Sequence, residues 1–146
     1  MRQSIPVALR HQVIVRAHYL CEYCLVHEAD FYLVGEVDHV KAIKYGGTNA
    51  FENLAYSCIH YNRFKGYSEA IVVDGRAIRL YNPRVDHWAD HFEISTAFIL
   101  AKTEIGEATI KVLKINSEER VRERLAFIEK GTYPHPTSLH LLVPKS

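Results

Sequence analysis

The amino-acid sequence predicts an α+β fold, and three observations carry the prediction. Phe31 to Lys41 is a run of β-branched and aromatic residues, the composition of short strands. Asp74-Gly75 sits between two short apolar runs, a strong hairpin signal. Glu118 to Lys130 alternates charged and apolar residues with helical spacing before Gly131, as in an amphipathic helix with a glycine stop. Strand and helix signals stand in separate stretches rather than in regular β-α-β alternation, which argues against a parallel sheet.

In chain order, Pro6 followed by Val7, Leu9, Val13, Ile14 and Ala17 reads as a first helix with proline at its opening turn. It leads into Cys21-Glu22-Tyr23-Cys24. Phe31–Lys41 supplies one or two strands, and Tyr45 to Asn49, with Gly46 and Gly47, is a loop. Leu54 through Lys65 has the spacing of a short helix, ended by Gly66. Ala70–Val73 and Ala77–Tyr81 form the hairpin around Asp74-Gly75. Phe98–Leu100 is a further strand, whereas Ala108–Ile115 fits either helix or strand. Asn116 with Glu119 reads as a capping box for the last helix, and the tail after Pro134 reads as irregular.

Composition bounds the function. At 146 residues, with 48% hydrophobic and 24% charged side chains, the chain suits one domain spanning residues 1–146. No apolar run is long enough for a bilayer, and the first dozen residues lack the apolar core of a secretory signal. A cytoplasmic protein without membrane contact is therefore expected. The net charge of +1, from 18 basic and 17 acidic residues, gives little general attraction for nucleic acid and leaves any phosphate-binding face to local clustering. Three cysteines make an odd set, which argues against a disulfide framework and leaves Cys21-x-x-Cys24 as a metal knuckle or a redox pair. A helical pattern precedes the pair, which favours metal.

The chemistry concentrates in residues 36–66, where Asp38-His39, a glycine loop, Asn53-Leu54 and Asn62-Arg63-Phe64-Lys65-Gly66 stand in succession. Hydrolysis of a phosphodiester needs a deprotonated water and a cation at the phosphate. Histidine is the side chain matched to taking a water proton near neutral pH. A carboxylate with an amide oxygen suits a hydrated magnesium ion. Asp38, His39 and Asn62 supply these types, if the fold gathers them. Adjacent residues of an ideal strand face opposite ways, so Asp38 and His39 converge only where the strand twists or ends. Glu36 lies on the same strand face as Asp38 and reads as a surface carboxylate or a support for the site.

On these residues the segment resembles the HNH endonuclease family, whose ββα-metal core is a β-hairpin followed by a helix around one divalent cation. Asp38-His39, Asn53 and Asn62 match its motif positions, with Cys21-x-x-Cys24, Gly46-Gly47 and Cys58 in register. The resemblance covers about residues 16–66, leaving 67–146 as a C-terminal extension of hairpin and helices. It implies a metal-dependent endonuclease acting on DNA with magnesium or manganese. His39 would activate water, Asp38 and Asn62 would hold the metal, and Asn53 would brace the loop that orients the histidine. Arg63, Lys65, Lys41 and Lys44 are the candidate contacts to DNA phosphates. A non-catalytic HNH-fold nucleic-acid binder and a zinc-stabilised interaction module are the alternatives. No DNA-reading element stands out, so specificity would come from loops, a homodimer or a partner protein.

Relatives with a cysteine pair before the motif usually carry a second pair within it, which completes a zinc site. Here the second pair would be Cys58 and residue 61, and residue 61 is Tyr. Structural zinc on Cys21, Cys24 and Cys58 then needs His60, His27 or water as the fourth ligand, or the thiols pack without metal. Asp86-His87-Trp88-Ala89-Asp90-His91 spaces two histidines by four but lacks the glutamate of metalloprotease helices. It reads as structural, with Trp88 anchoring the hairpin to the core.

Overall fold

The computed structural model describes residues 4–145. Helix α1 (Val7–Arg16) begins after Pro6, whose fixed φ suits a helix start. Its buried Val13, with Ile5 and Ala17, packs on Val37, Leu54 and Tyr56. Arg16 fastens the end of α1 to the chain at residues 51–54. Its guanidinium donates to Phe51 O and Leu54 O and lies 3.7 Å from the centre of the Phe51 ring.

Strands β1 (Glu36–His39) and β2 (Leu54–Ser57) pair antiparallel, Glu36 opposite Ser57 and His39 opposite Leu54. Helix α2 (Ile59–Lys65) comes directly after, with Cys58 at its start and Gly66 at its end. The stretch from Leu54 to Lys65, expected as one helix, is thus a strand and then a helix. All four β2 residues are buried, and a strand covered on both faces has no alternating pattern to set it apart from a buried helix. Of the expected strand region 31–41, only Glu36–His39 is strand.

The Asp74-Gly75 turn joins β3 (Ala70–Val73) to β4 (Arg76–Arg79), both turn residues adopting positive φ as a tight hairpin requires. A short helix α3 (Trp88–His91) leads into a hairpin of β5 (Phe92–Ser95) and β6 (Phe98–Ala101). The ambiguous segment is helical: α4 (Glu104–Leu113) is capped by Thr103, whose hydroxyl accepts from Gly106 N. It packs on α2, β4 and β6, tying the C-terminal half to the ββα unit.

Helix α5 (Glu118–Lys130) ends at Gly131 as expected, but its cap is Ser117, which accepts from Arg120 N. Asn116, expected in that role, instead exchanges hydrogen bonds with the backbone of Ile99. The tail is a short 3-10 turn at Pro136–Leu141. Trp88 is fully buried and donates Nε1 to Tyr23 O at 2.8 Å. It therefore anchors α3 to the cysteine segment rather than to the β3–β4 hairpin. Among the described residues no helix is long and apolar enough to cross a membrane.

Candidate active site and cysteine cluster

The end of β1 resolves the opposing-face difficulty at Asp38-His39. The strand stops at His39, and with no further pleat imposed the two side chains turn into one cleft. His39 Nδ1 lies 3.9 Å from Asp38 Oδ1. Both residues, with Asn62 and Arg63 of α2 and Lys44 and Tyr67 beside them, line a cleft of about 680 Å³.

The imidazole is buried to 6% exposure, and its Nε2 lies 2.6 Å from Asn49 Oδ1. An amide oxygen only accepts, so Nε2 is the donating nitrogen, and the other ring nitrogen, Nδ1, is the atom toward Asp38. Asn49 is a site residue that sequence reasoning missed. Its contact depends on how loop 40–53 folds back, and no spacing rule signals it.

That loop is closed by Asn53. Its Oδ1 accepts from Lys41 N, and its Nδ2 donates to Lys41 O and Thr48 O, all at 2.8–2.9 Å. The glycine pair serves the same closure. Gly46 adopts φ 95°, and a Cβ on Gly47 would lie 1.8 Å from Lys41 O, so any side chain there pushes the loop open. All three of these Asn53 hydrogen bonds go to backbone atoms.

Asn62 donates Nδ2 to Glu36. This fixes the amide and leaves Oδ1 as a neutral oxygen donor at the cleft wall. Glu36 is therefore a partner of Asn62 rather than only a surface carboxylate. An amide oxygen with the nearby Asp38 carboxylate is a donor set that suits a hard divalent cation retaining most of its water.

The four candidate phosphate contacts separate. Lys44 and Arg63 are exposed and line the cleft, and Lys41 is exposed on the loop outside its lining. Lys65 is 6% exposed and its Nζ donates to His39 O at 3.4 Å and Val40 O at 3.3 Å. As a phosphate contact Lys65 is thus a misreading, since its ammonium turns inward to hold the end of β1. Burial pushes its pKa below the ordinary lysine value, against the opposing pull of Asp38 and Glu69.

Before β1 and at the start of α2, the sulfur atoms of Cys21, Cys24 and Cys58 lie within 4.8 Å of one another, a cluster that could hold a metal ion such as zinc. Cys24 and Cys58 sulfurs are 3.8 Å apart, close to the edge of a tetrahedron built on Zn–S bonds of about 2.3 Å. Among the described residues neither His60 nor His27 joins the cluster. His27 instead accepts from Ala29 N and stacks on His135. Tyr61, where the sequence has no fourth cysteine, is 1% exposed and packs in the same buried cluster as Cys21 and Cys24.

Arg124 of α5, also 1% exposed, reaches Tyr61. It donates to Ala97 O, Asn116 Oδ1 and, at 3.5 Å, the Tyr61 hydroxyl. None of these acceptors is a carboxylate, and the Arg124 charge acts on both Cys24 and Glu123. Cys21 is pushed up by burial, and Cys58 is pushed up by hydrogen bonding with Cys21 and Cys24. For Cys24 burial pushes upward too, but hydrogen bonds from Cys21 and Cys58 and the charge of Arg124 hold it well below the ordinary thiol value.

The second histidine pair makes no metal site. His87 Nε2 pairs with Val143 O and His91 Nδ1 with Thr103 Oγ1, so the two rings engage different segments.

Residues 21–67 match the HNH endonuclease family model. The match begins at Cys21 and takes in the cysteine cluster, the ββα unit and the cleft residues, and α3 to α5 lie outside it. No curated protein and no solved structure matches the chain. Mixed helices and small antiparallel sheets agree with an α+β HNH-type fold, and an HNH segment implies a nuclease or another nucleic-acid-related function.

Proposed function

We propose that a chain built around this HNH segment is a metal-dependent endonuclease hydrolysing DNA phosphodiester bonds in the cleft between the end of β1 and α2. The observation that carries the reading is the His39–Asn49 hydrogen bond. By holding the proton on Nε2, it leaves Nδ1 as the basic atom, turned to the side where Asp38 stands.

His39 takes the proton of an attacking water through Nδ1, and Asn49 steadies the imidazolium that results. The loop bracing by Asn53 keeps Asn49 within reach of the ring. Asp38 and Asn62 Oδ1 would hold a magnesium or manganese ion, which when bound stabilises charge on the phosphate and on the departing oxygen. Glu36 keeps the Asn62 amide from flipping, so that its oxygen rather than its nitrogen faces the cleft. Lys44 and Arg63 contact phosphates flanking the scissile bond. Three free thiols suit work in a reducing compartment such as the cytoplasm.

The test is incubation of supercoiled and heat-denatured plasmid with purified protein, with magnesium or manganese and then with excess chelator. Cleavage that needs the metal and leaves 3′-hydroxyl ends is the expected result. Cleavage that survives the chelator would overturn the metal-dependent mechanism.

A further inference from the structure

The surface around the cleft interleaves aromatic rings with cations. Tyr45 is 51% exposed, Tyr67 63% and Phe64 44%. Lys44 Nζ stands 5.7 Å from the centre of the Tyr45 ring and 5.3 Å from that of Tyr67. Lys114 Nζ lies 4.7 Å from the centre of Phe64. Tyr67, Lys44 and Arg63 line the same cleft as Asp38, His39 and Asn62, so the platform is continuous with the proposed chemistry.

Each large ring is left in water with a cation beside it. Burial in the protein core does not account for them, because their partners are lysines at the surface. Duplex DNA gives such rings little to bind, since its base faces are already stacked on one another. A duplex is held chiefly through its phosphates, and a net charge of +1 offers weak general attraction for them. An unpaired strand presents both base faces and phosphates, which is what alternating rings and cations accommodate.

From this we infer that the cleft takes its DNA as an unpaired strand, with bases stacked on Tyr67 and Tyr45 and the backbone on Lys44 and Arg63. The inference rests on the nuclease reading of the cleft and adds to it the class of substrate. The rings need no particular base, so binding tolerates sequence.

The experiment measures binding apart from cleavage. A fluorescently labelled mixed-sequence DNA oligonucleotide, single-stranded or annealed to its complement, is titrated with full-length protein. Calcium replaces magnesium, and anisotropy is read. The single strand is expected to bind at least about tenfold more tightly than the duplex. Tyr67→Ala and Tyr45→Ala are each expected to weaken single-strand binding by roughly fivefold or more, within the range for loss of one stacked base. Tyr67→Phe retains binding, and duplex affinity changes little in any variant. Equal or tighter duplex binding, no binding of either form, or wild-type single-strand binding by Tyr67→Ala overturns the inference. Cleavage in magnesium is scored separately. Tyrosine-dependent strand binding without any cleavage removes the nuclease reading and leaves the strand site standing. Cleavage of duplex as fast as single strand removes the strand site and leaves the nuclease.

Discussion

His39 Nε2 and Asn49 Oδ1 meet at 2.6 Å across ten residues of loop. Without that acceptor the ring can take either tautomer and rotate, so part of the population presents a protonated nitrogen to the water. Asn49→Ala is expected to lower plasmid cleavage by roughly 10–100-fold, the usual cost of losing the partner that orients a functional histidine. DNA binding should stay near the wild-type value. Unchanged cleavage in that variant would mean that Asn49 does not set the ring.

Lys65 gives a second test because its sequence neighbours and its structure point to different roles. Its ammonium holds the carbonyls of His39 and Val40, so Lys65→Met should destabilise the fold by about 1–3 kcal/mol in urea denaturation. A lysine bound to phosphate would instead lower the salt dependence of DNA binding by about one unit of slope when removed. We expect that slope to be unchanged. A shallower slope with wild-type stability would return Lys65 to the DNA face.

The cysteine cluster predicts weak metal retention. Three thiols form the cluster, residue 61 supplies a tyrosine rather than a fourth thiol, and Arg124 donates to that tyrosine's hydroxyl. Elemental analysis during dialysis against a chelator should show the wild type losing zinc readily and Tyr61→Cys retaining it near one ion per chain. Zinc held as firmly by the wild type as by Tyr61→Cys would show that the three-cysteine cluster needs no fourth thiolate.

The tail is fastened through histidines. His135 stacks on His27 with ring centres 4.2 Å apart, and His140 meets His18 at 4.9 Å. Burial, then the charge of His27, lowers the His135 pKa below its ordinary 6.5, with Asp30 opposing. Burial, then His18, does the same for His140. The folded state therefore favours the neutral rings, while the unfolded chain takes up protons first as pH falls. Stability from these contacts is complete above about pH 6.5 and is lost as pH drops below it. Thermal unfolding should show a modest decline in Tm over that window, smaller in His135→Phe. A pH profile identical for wild type and variant would remove the histidine contacts as its cause.

How far each element is legible in the sequence depends on how local its signal is. The proline start of α1, the glycine stop of α5 and the Asp-Gly turn act within a few residues, so pattern alone finds them. The β2 strand is hidden because burial on both faces erases its period. Ser117 rather than Asn116 caps α5, because Asn116 is drawn to the β6 backbone, a tertiary demand that no capping pattern contains. Asp38, His39 and Asn62 are legible as chemical types at telling spacings. Asn49, the Glu36–Asn62 bond, the inward turn of Lys65 and the reach of Arg124 all arise where distant segments meet, which periodicity does not encode.

The general-base role of His39 is tested by comparing wild type with His39→Ala on plasmid, supercoiled and denatured, in saturating manganese or magnesium, with circular dichroism and thermal unfolding to verify that both are folded. Metal-dependent cleavage by the wild type and loss of at least about 100-fold in the variant are expected, the lower end of what a positioned general base contributes. Cleavage by a folded His39→Ala protein at the wild-type rate would contradict that role.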